Sequence, residues 1–257
     1  ETLTNVQDYF SFLEREGIVP DIEARKNEIW SNAVSLAESV GGVVPEGNKE
    51  SGGLLDEVAN LLEAGQPVLG EFEAEYLSLP KEVLITVMKK HQRYFPVENK
   101  TSGDLLNNFV TFANGPCDVS AVKSGNEAVL RARYQDAKFF YENDCKESLE
   151  TLRPKLEGIT FQTELGSMLQ KTERAENLAP KVAAALGYGD DASIVAMATK
   201  AARLARADLA SSMVMELTSL AGVMGEHYAK KCDKLDDTTS KAIFEGNIPR
   251  FSGDLIA

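Results

Sequence analysis

Histidine and cysteine are scarce in this chain. His91 and His227 are its two histidines, and Cys117, Cys145 and Cys232 its three cysteines, spread over 257 residues. No two cysteines form a Cys-x-x-Cys pair, so the spacing that closes a zinc site is missing. Three reduced thiols in packed or half-exposed positions are the expectation. There is no Gly-rich loop ending in Lys-Ser/Thr and no Gly-x-Gly-x-x-Gly turn after a strand, which excludes the common nucleotide cradles. A Gly-x-Ser-x-Gly elbow is also absent. An independent catalytic centre is therefore not expected, nor is a bound cofactor or metal. No apolar run approaches the ~20 residues that span a bilayer, and no secretory leader opens the sequence. A soluble protein of the cell interior or an organelle is expected, without a membrane partner. The first residue is Glu1 rather than Met, so a piece of a longer processed polypeptide is expected.

What is present suits a packed protein. At 43% apolar and 26% charged residues, the chain has enough hydrophobic side chains for a core and too few charges for disorder. Its length fits one large domain or two ordinary ones. The net charge of −13 at first argues against nucleic acid, but its distribution matters more. Residues 1–80 hold 4 Lys+Arg and 16 Asp+Glu, residues 81–176 hold 14 of each, and residues 177–257 hold 9 and 10. The acidity thus belongs to the first third, and a local basic field elsewhere can still attract a polyanion.

Hydrophobic periodicity predicts helices over 4–16, capped by Thr4 or Asn5, and over 20–39, opened by Pro20 and Asp21. Another is expected over 54–62. A short strand is expected at 67–72, a short helix from 80 to about 90, an extended segment at 94–97 and a strand at 109–113, the last two forming a hairpin. After Gly115 no strand signal returns. Helices are expected at about 120–143, 146–153, 164–186, 191–206, 208–231 and 234–245. The predicted fold class is α+β: a mixed part over 1–117 with a small sheet, followed by an all-α part over 118–257.

Four segments could carry chemistry. Lys89, Lys90, His91, Arg93 and Tyr94 cluster between a helix end and a strand. They are candidates for phosphate contact, with aromatic rings for stacking. Cations at a helix C-terminus also have a purely structural explanation, worth about 0.3–1 kcal/mol each. In the helix at 120–143, Glu127, Arg131 and Gln135 share a face, with Tyr134, Lys138 and Tyr141 beside it. Val129, Leu130, Ala137 and Phe140 are the expected packing positions. Arg131, Arg133 and Lys138 are candidate phosphate ligands, because guanidinium groups bind phosphate bidentately. Replacing Arg131 and Arg133 is expected to weaken polyanion binding and flatten its salt dependence. Lys171 and Arg174 lie three residues apart and can straddle phosphates, although a solvated helix face is the favoured explanation on the helix propensity of these residues. Last, Asp208 with His227 hints at a metal-dependent phosphohydrolase of the HD type, an alternative function. Two residues, with Ala207 where a second ligand would be needed, do not close a coordination sphere. A pure protein-interaction module is a third reading, suited to the acidic first third.

These segments resemble the β subunit of the heterotetrameric glycyl-tRNA synthetase of bacteria and plastids. The resemblance runs through 79–85, Met88-Lys89-Lys90-His91-Gln92-Arg93-Tyr94-Phe95-Pro96-Val97, 109–115, 125–144, Phe161-Gln162, Leu165-Gly166, Lys171-Thr172-Glu173-Arg174, Arg206-Ala207-Asp208-Leu209 and Gly222-Val223-Met224-Gly225-Glu226-His227-Tyr228-Ala229. It is in register over about 80–256 and looser over 1–78. The resemblance implies a glycine–tRNA ligase in which an α subunit, or the α region of a fused chain, holds ATP, Mg and glycine. The β part binds tRNA-Gly, in an α2β2 assembly or a dimer of fused chains. It further implies that the first part is the end of a B3/B4-like domain and the second an HD-like domain without the complete metal motif. Earlier strands, an Ala-Asp-Lys segment and an anticodon-binding region would then lie outside this sequence. The plastid stroma, with the mitochondrial matrix as a further site, is the expected location, or the cytoplasm of a bacterium.

Overall fold

A computed structural model describes residues 5–249. They form two compact units, one ending at Asp136 and the other beginning at Ala137.

The first unit opens with α1 (Val6–Arg15), where Asn5 and Asp8 form a reciprocal capping box. Helix α2 (Ile22–Ser39) starts at Asp21, whose carboxylate accepts the Glu23 and Ala24 N–H groups, so Pro20 precedes the cap instead of occupying the first turn. Of its apolar positions at helical spacing, Ile29, Ala33 and Ala37 are fully buried, while Ile22, Trp30 and Val34 are half-buried. Strand β1 (Gly42–Val43) follows, in a stretch with no strand pattern in its sequence. Then come α3 (Leu54–Leu61), β2 (Gly65–Glu71) and α4 (Lys81–Thr86), the last continuing as a π-turn over Val87–Gln92. Strands β3 (Phe95–Asn99) and β4 (Leu105–Asn114) form the expected hairpin.

The four strands make one antiparallel sheet in the order β1-β3-β4-β2. Ile29, Ala33, Ala37, Leu54, Leu55, Val58, Phe95, Val97 and Val110 form the core between α2, α3 and the sheet. Trp30, half-buried at its margin, carries the Lys49 ammonium 4.3 Å above its ring, a favourable cation–π geometry.

On β2, Gly70 sits opposite Phe109, and a Cβ there would lie 2.2 Å from that ring. The Tyr94 ring stacks on Phe109 at 4.7 Å, so the phenyl ring has no room to yield. Gly70→Ala is expected to lower stability by about 1–3 kcal/mol, the usual cost of overpacking. A urea unfolding midpoint equal to the parent's would disprove this packing.

Helix α5 (Val119–Asp144) crosses the division between the units, whereas the sequence places a boundary at 117/118. Its buried positions are Leu130, Tyr134, Ala137, Tyr141 and Asp144, a helical 4-3-4-3 spacing. Val129, an expected packing position, is 44% exposed. Tyr134, expected on a neighbouring surface face, is fully buried and donates to the Leu84 carbonyl.

The second unit continues with α6 (Leu149–Leu152), a 3-10 turn over Arg153–Gly158, and the strands β5 (Thr160–Gln162) and β6 (Gly166–Ser167). These strands pair antiparallel, so the second half is not purely helical. The segment at 164–167, expected to begin a helix, instead turns through Gly166 at φ +83°. Helices α7 (Met168–Ala185), α8 (Ala192–Leu204), α9 (Ser212–Glu216), α10 (Val223–Lys231) and α11 (Asp237–Glu245) complete it. The single helix expected over 208–231 is broken into short turns. Ser211 caps α9, and Gly222 enters α10 with φ 81°. No helix among the described residues is long and apolar enough to cross a membrane.

Candidate nucleic-acid interface

In the first unit, the basic segment 89–93 follows from the π-turn. The wider turn ends at Arg93, whose backbone is left-handed (φ 57°, ψ 38°) and whose N–H donates to the Met88 carbonyl. Val87 and Met88 anchor the turn in the core, leaving Lys90 and His91 exposed. Arg93 is exposed but engaged: its Nε donates to Glu57 Oε1 at 2.7 Å. Lys89 is half-buried in a cavity of about 340 Å³ shared with Glu50 and Glu98. Burial lowers its proton affinity first; Glu50 and Glu98 act in the opposite sense. Tyr94 does not present a ring for base stacking. It is buried against Phe109, and burial pushes its phenol up to about 12.

Arg131, on the exposed side of α5, is bonded through Nε to Glu73. That ion pair holds the Glu73 carboxyl below its ordinary value and raises the guanidinium. Glu127 is fixed by the Glu71 backbone N–H at 3.0 Å. Glu71, Glu73, Glu127 and Arg131 line one cavity of about 280 Å³, so three carboxylates surround one guanidinium. Such a field does little for a phosphate. Arg133, two residues on, is exposed and forms no ion pair among the described residues.

The second unit contains a different arrangement. Ser167 and Gln170 cap α7 reciprocally, and the first turn of that helix carries no acid. Lys171 sits one turn in, with its ammonium 4.0 Å from the Phe161 ring of β5. Arg174 is exposed one turn further on. The third cation is Arg206, held by Asn247 Oδ1 and the Gly246 carbonyl, each at 3.0 Å. Burial lowers the proton affinity of Lys171, and Arg206 and then Arg174 lower it further. Neither Lys171 nor Arg174 forms an ion pair among the described residues. Cations near a helix N-terminus oppose the macrodipole and cost stability, while an anion there is favoured. Lys138, also a candidate, is half-buried on α5.

Thus the structure brings Lys171 and Arg174 into one electrostatic cluster and pairs Arg93 and Arg131 with acids. Arg206 is not among the phosphate-binding candidates named from the sequence, where its neighbour Asp208 drew attention as a metal ligand. A residue 32 positions beyond Arg174 gives no local signal of proximity.

The Asp208 carboxylate is fully buried, and its Oδ2 accepts the backbone N–H groups of Gly222 at 2.5 Å and Gly225 at 3.0 Å. It fastens the start of α10 from a distance of 14 and 17 residues. His227 Nε2 is 2.7 Å from the Tyr141 hydroxyl. Among the described residues, no three His, Cys, Asp or Glu side chains are grouped to hold a metal ion.

Comparison with known proteins adds to this geometry. The family described as glycyl-tRNA synthetase beta subunit matches residues 1–257. Glycine–tRNA ligase, chloroplastic/mitochondrial 2, of Arabidopsis thaliana is 43% identical over 254 residues, covering 98% of this chain and 23% of that protein. The glycine–tRNA ligase beta subunit of Clostridioides difficile is 43% identical over 253 residues, 98% of this chain and 35% of that subunit. That of Bacillus subtilis is 39% identical over 246 residues, 95% and 35% respectively. The chain therefore spans about a quarter to a third of the length of these relatives.

Proposed function

Since the chain belongs to the glycyl-tRNA synthetase beta subunit family, we propose that it serves as a tRNA-holding and scaffolding part of a glycine–tRNA ligase. The parent enzyme attaches glycine to tRNA-Gly at the expense of ATP. The aminoacylation chemistry, with its ATP and Mg, resides in an α subunit or α region that is this part's partner. The relatives named chloroplastic/mitochondrial and those from bacteria support a plastid stroma or a bacterial cytoplasm as the location.

The observation that carries the tRNA reading is the cluster of Lys171, Arg174 and Arg206 near the N-terminus of α7. Lys171 is held there in spite of two neighbouring cations that disfavour its charge. A phosphate oxygen beside Lys171 would relieve that repulsion. Phe161, 38% exposed beneath the Lys171 ammonium, offers an apolar surface to a sugar or a base.

The test is a salt titration of tRNA-Gly binding by the full-length subunit. The double variant Lys171→Ala/Arg174→Ala should bind about tenfold more weakly, with a log–log salt slope smaller by about two, one per phosphate contact. Arg131→Ala, already neutralised by Glu73, should change the slope by less than half of one unit, whereas the exposed Arg133→Ala should show the larger effect of the two. An unchanged affinity and slope in the double variant would remove α7 from the interface.

A further inference from the structure

The three cysteines are far apart in the sequence, yet two of them meet. Cys232 donates its S–H to the Cys145 sulfur across 2.9 Å, although 87 residues separate them. Cys145 lies just past the end of α5, its backbone N–H bonded to the Tyr141 carbonyl. Cys232 caps α10, its N–H bonded to the Tyr228 carbonyl. The residues beside them tie the same helix ends together: Tyr228 donates to Asp144 at 2.9 Å, and Tyr141 bonds His227. Both backbones are therefore already positioned. A disulfide needs the sulfurs at about 2.05 Å, so each side chain has only a few tenths of an ångström to move. Cys117, in contrast, is exposed.

We propose that Cys145 and Cys232 form a thiol pair that closes to an intrachain disulfide by exchange with a small-molecule disulfide. The Cys145 thiolate attacks one sulfur of the external disulfide, its S–S bond breaks, and one small thiolate leaves with the mixed disulfide on Cys145. Cys232 then loses its proton and attacks the Cys145 sulfur, and the second small thiolate departs. Two protein thiols become one disulfide, one external disulfide becomes two thiols, and the two protons pass to the departing thiolates.

The order of attack follows from the surroundings. Burial and the bond to Cys145 push the Cys232 thiol up to about 12, so it is a poor first nucleophile. Cys145, the sulfur that accepts the bond, is therefore the first attacker. Both cysteines are half-buried, which limits the access of an external thiol to the closed bond. The linkage, once closed, is accordingly expected to resist mild reductant.

The experiment takes the whole subunit through oxidised glutathione, blocks remaining thiols under denaturing conditions and maps the peptides by mass spectrometry. In the reduced protein Cys117, Cys145 and Cys232 should all label; after oxidation Cys145 and Cys232 should lose their label together, with one cross-linked peptide pair joining 145 to 232. Cys117→Ser should retain that linkage. Cys232→Ser should instead accumulate a glutathione adduct on Cys145, because the resolving thiol is gone. Labelling of all three thiols after oxidation, a linkage that includes Cys117, or a Cys232→Ser variant with no adduct at Cys145 would overturn the proposal. The unmodified protein alone decides the first two outcomes, so they do not depend on a variant's folding.

Discussion

Asp144→Ala is expected to destabilise the second unit by about 3–5 kcal/mol. The Asp144 carboxylate is buried and accepts three hydrogen bonds of 2.9 Å, from the Ser212 and Met213 backbone N–H groups and from the Tyr228 hydroxyl. Alanine would strand two backbone donors and a phenol without acceptors. Each such buried group costs about 1–3 kcal/mol, partly recovered where water enters the vacated space. Burial, and next the Asp144 charge, raise the Tyr228 phenol, which remains a donor throughout the accessible pH range. Asn, which keeps one carbonyl oxygen, should lose roughly half as much. Helical circular dichroism in a urea series measures both. A loss below about 1 kcal/mol for the alanine variant would mean that these hydrogen bonds are replaced without difficulty.

Asp208→Ala should cost about 3 kcal/mol, and here the sign of a second measurement matters more than the size. The carboxylate serves as a long-range cap for α10, accepting the Gly222 and Gly225 N–H groups. Gly225 has a tight role of its own, since a Cβ there would meet Ile243 at 3.1 Å and the Asp208 carboxylate at 3.2 Å. A structural carboxylate of this kind predicts a wild-type melting temperature indifferent to added Mn or Mg. A metal ligand predicts a rise that grows with metal concentration, because a ligand that binds only the folded state stabilises it by mass action. A metal-dependent rise in the parent, lost in Asp208→Ala, would restore the phosphohydrolase reading.

The helices that bury a simple apolar stripe were legible in the sequence. In α2 the spacing of Ile29, Ala33 and Ala37 is sufficient, and β4 announces itself through Phe109, Val110 and Phe112. Elements defined by single long-range contacts were not. Strand β1 has two residues, too few for any pattern. The stretch 208–231 looks continuous until Asp208 reaches forward to cap α10 and Ser211 starts α9. Tyrosines defeated the assignment of faces on α5, because their rings suit a core and their hydroxyls suit a surface. Leu84 decides the matter for Tyr134 by offering its carbonyl.

The candidate site shows the same division. Residue types and local spacing singled out Lys171 and Arg174. They could not show that Glu57, 36 residues before Arg93, and Glu73, 58 residues before Arg131, meet those arginines and neutralise them. Nor could they bring Arg206 to Lys171. Charge compensation is a tertiary property, and the value of a cation to a polyanion depends on what else surrounds it.

Trp30 gives the molecule an optical asymmetry. It is the one tryptophan of the chain, and it belongs to the first unit, under Lys49. Indole emission therefore follows the unfolding of that unit alone, while far-ultraviolet dichroism is dominated by helices of both. Coincident curves from the two signals would indicate one cooperative transition, and separated curves two. The Asp144 and Asp208 variants, both changed in the second unit, turn this into a measure of coupling: the shift they cause in the Trp30 emission curve reports how much of the second unit's stability is transmitted to the first.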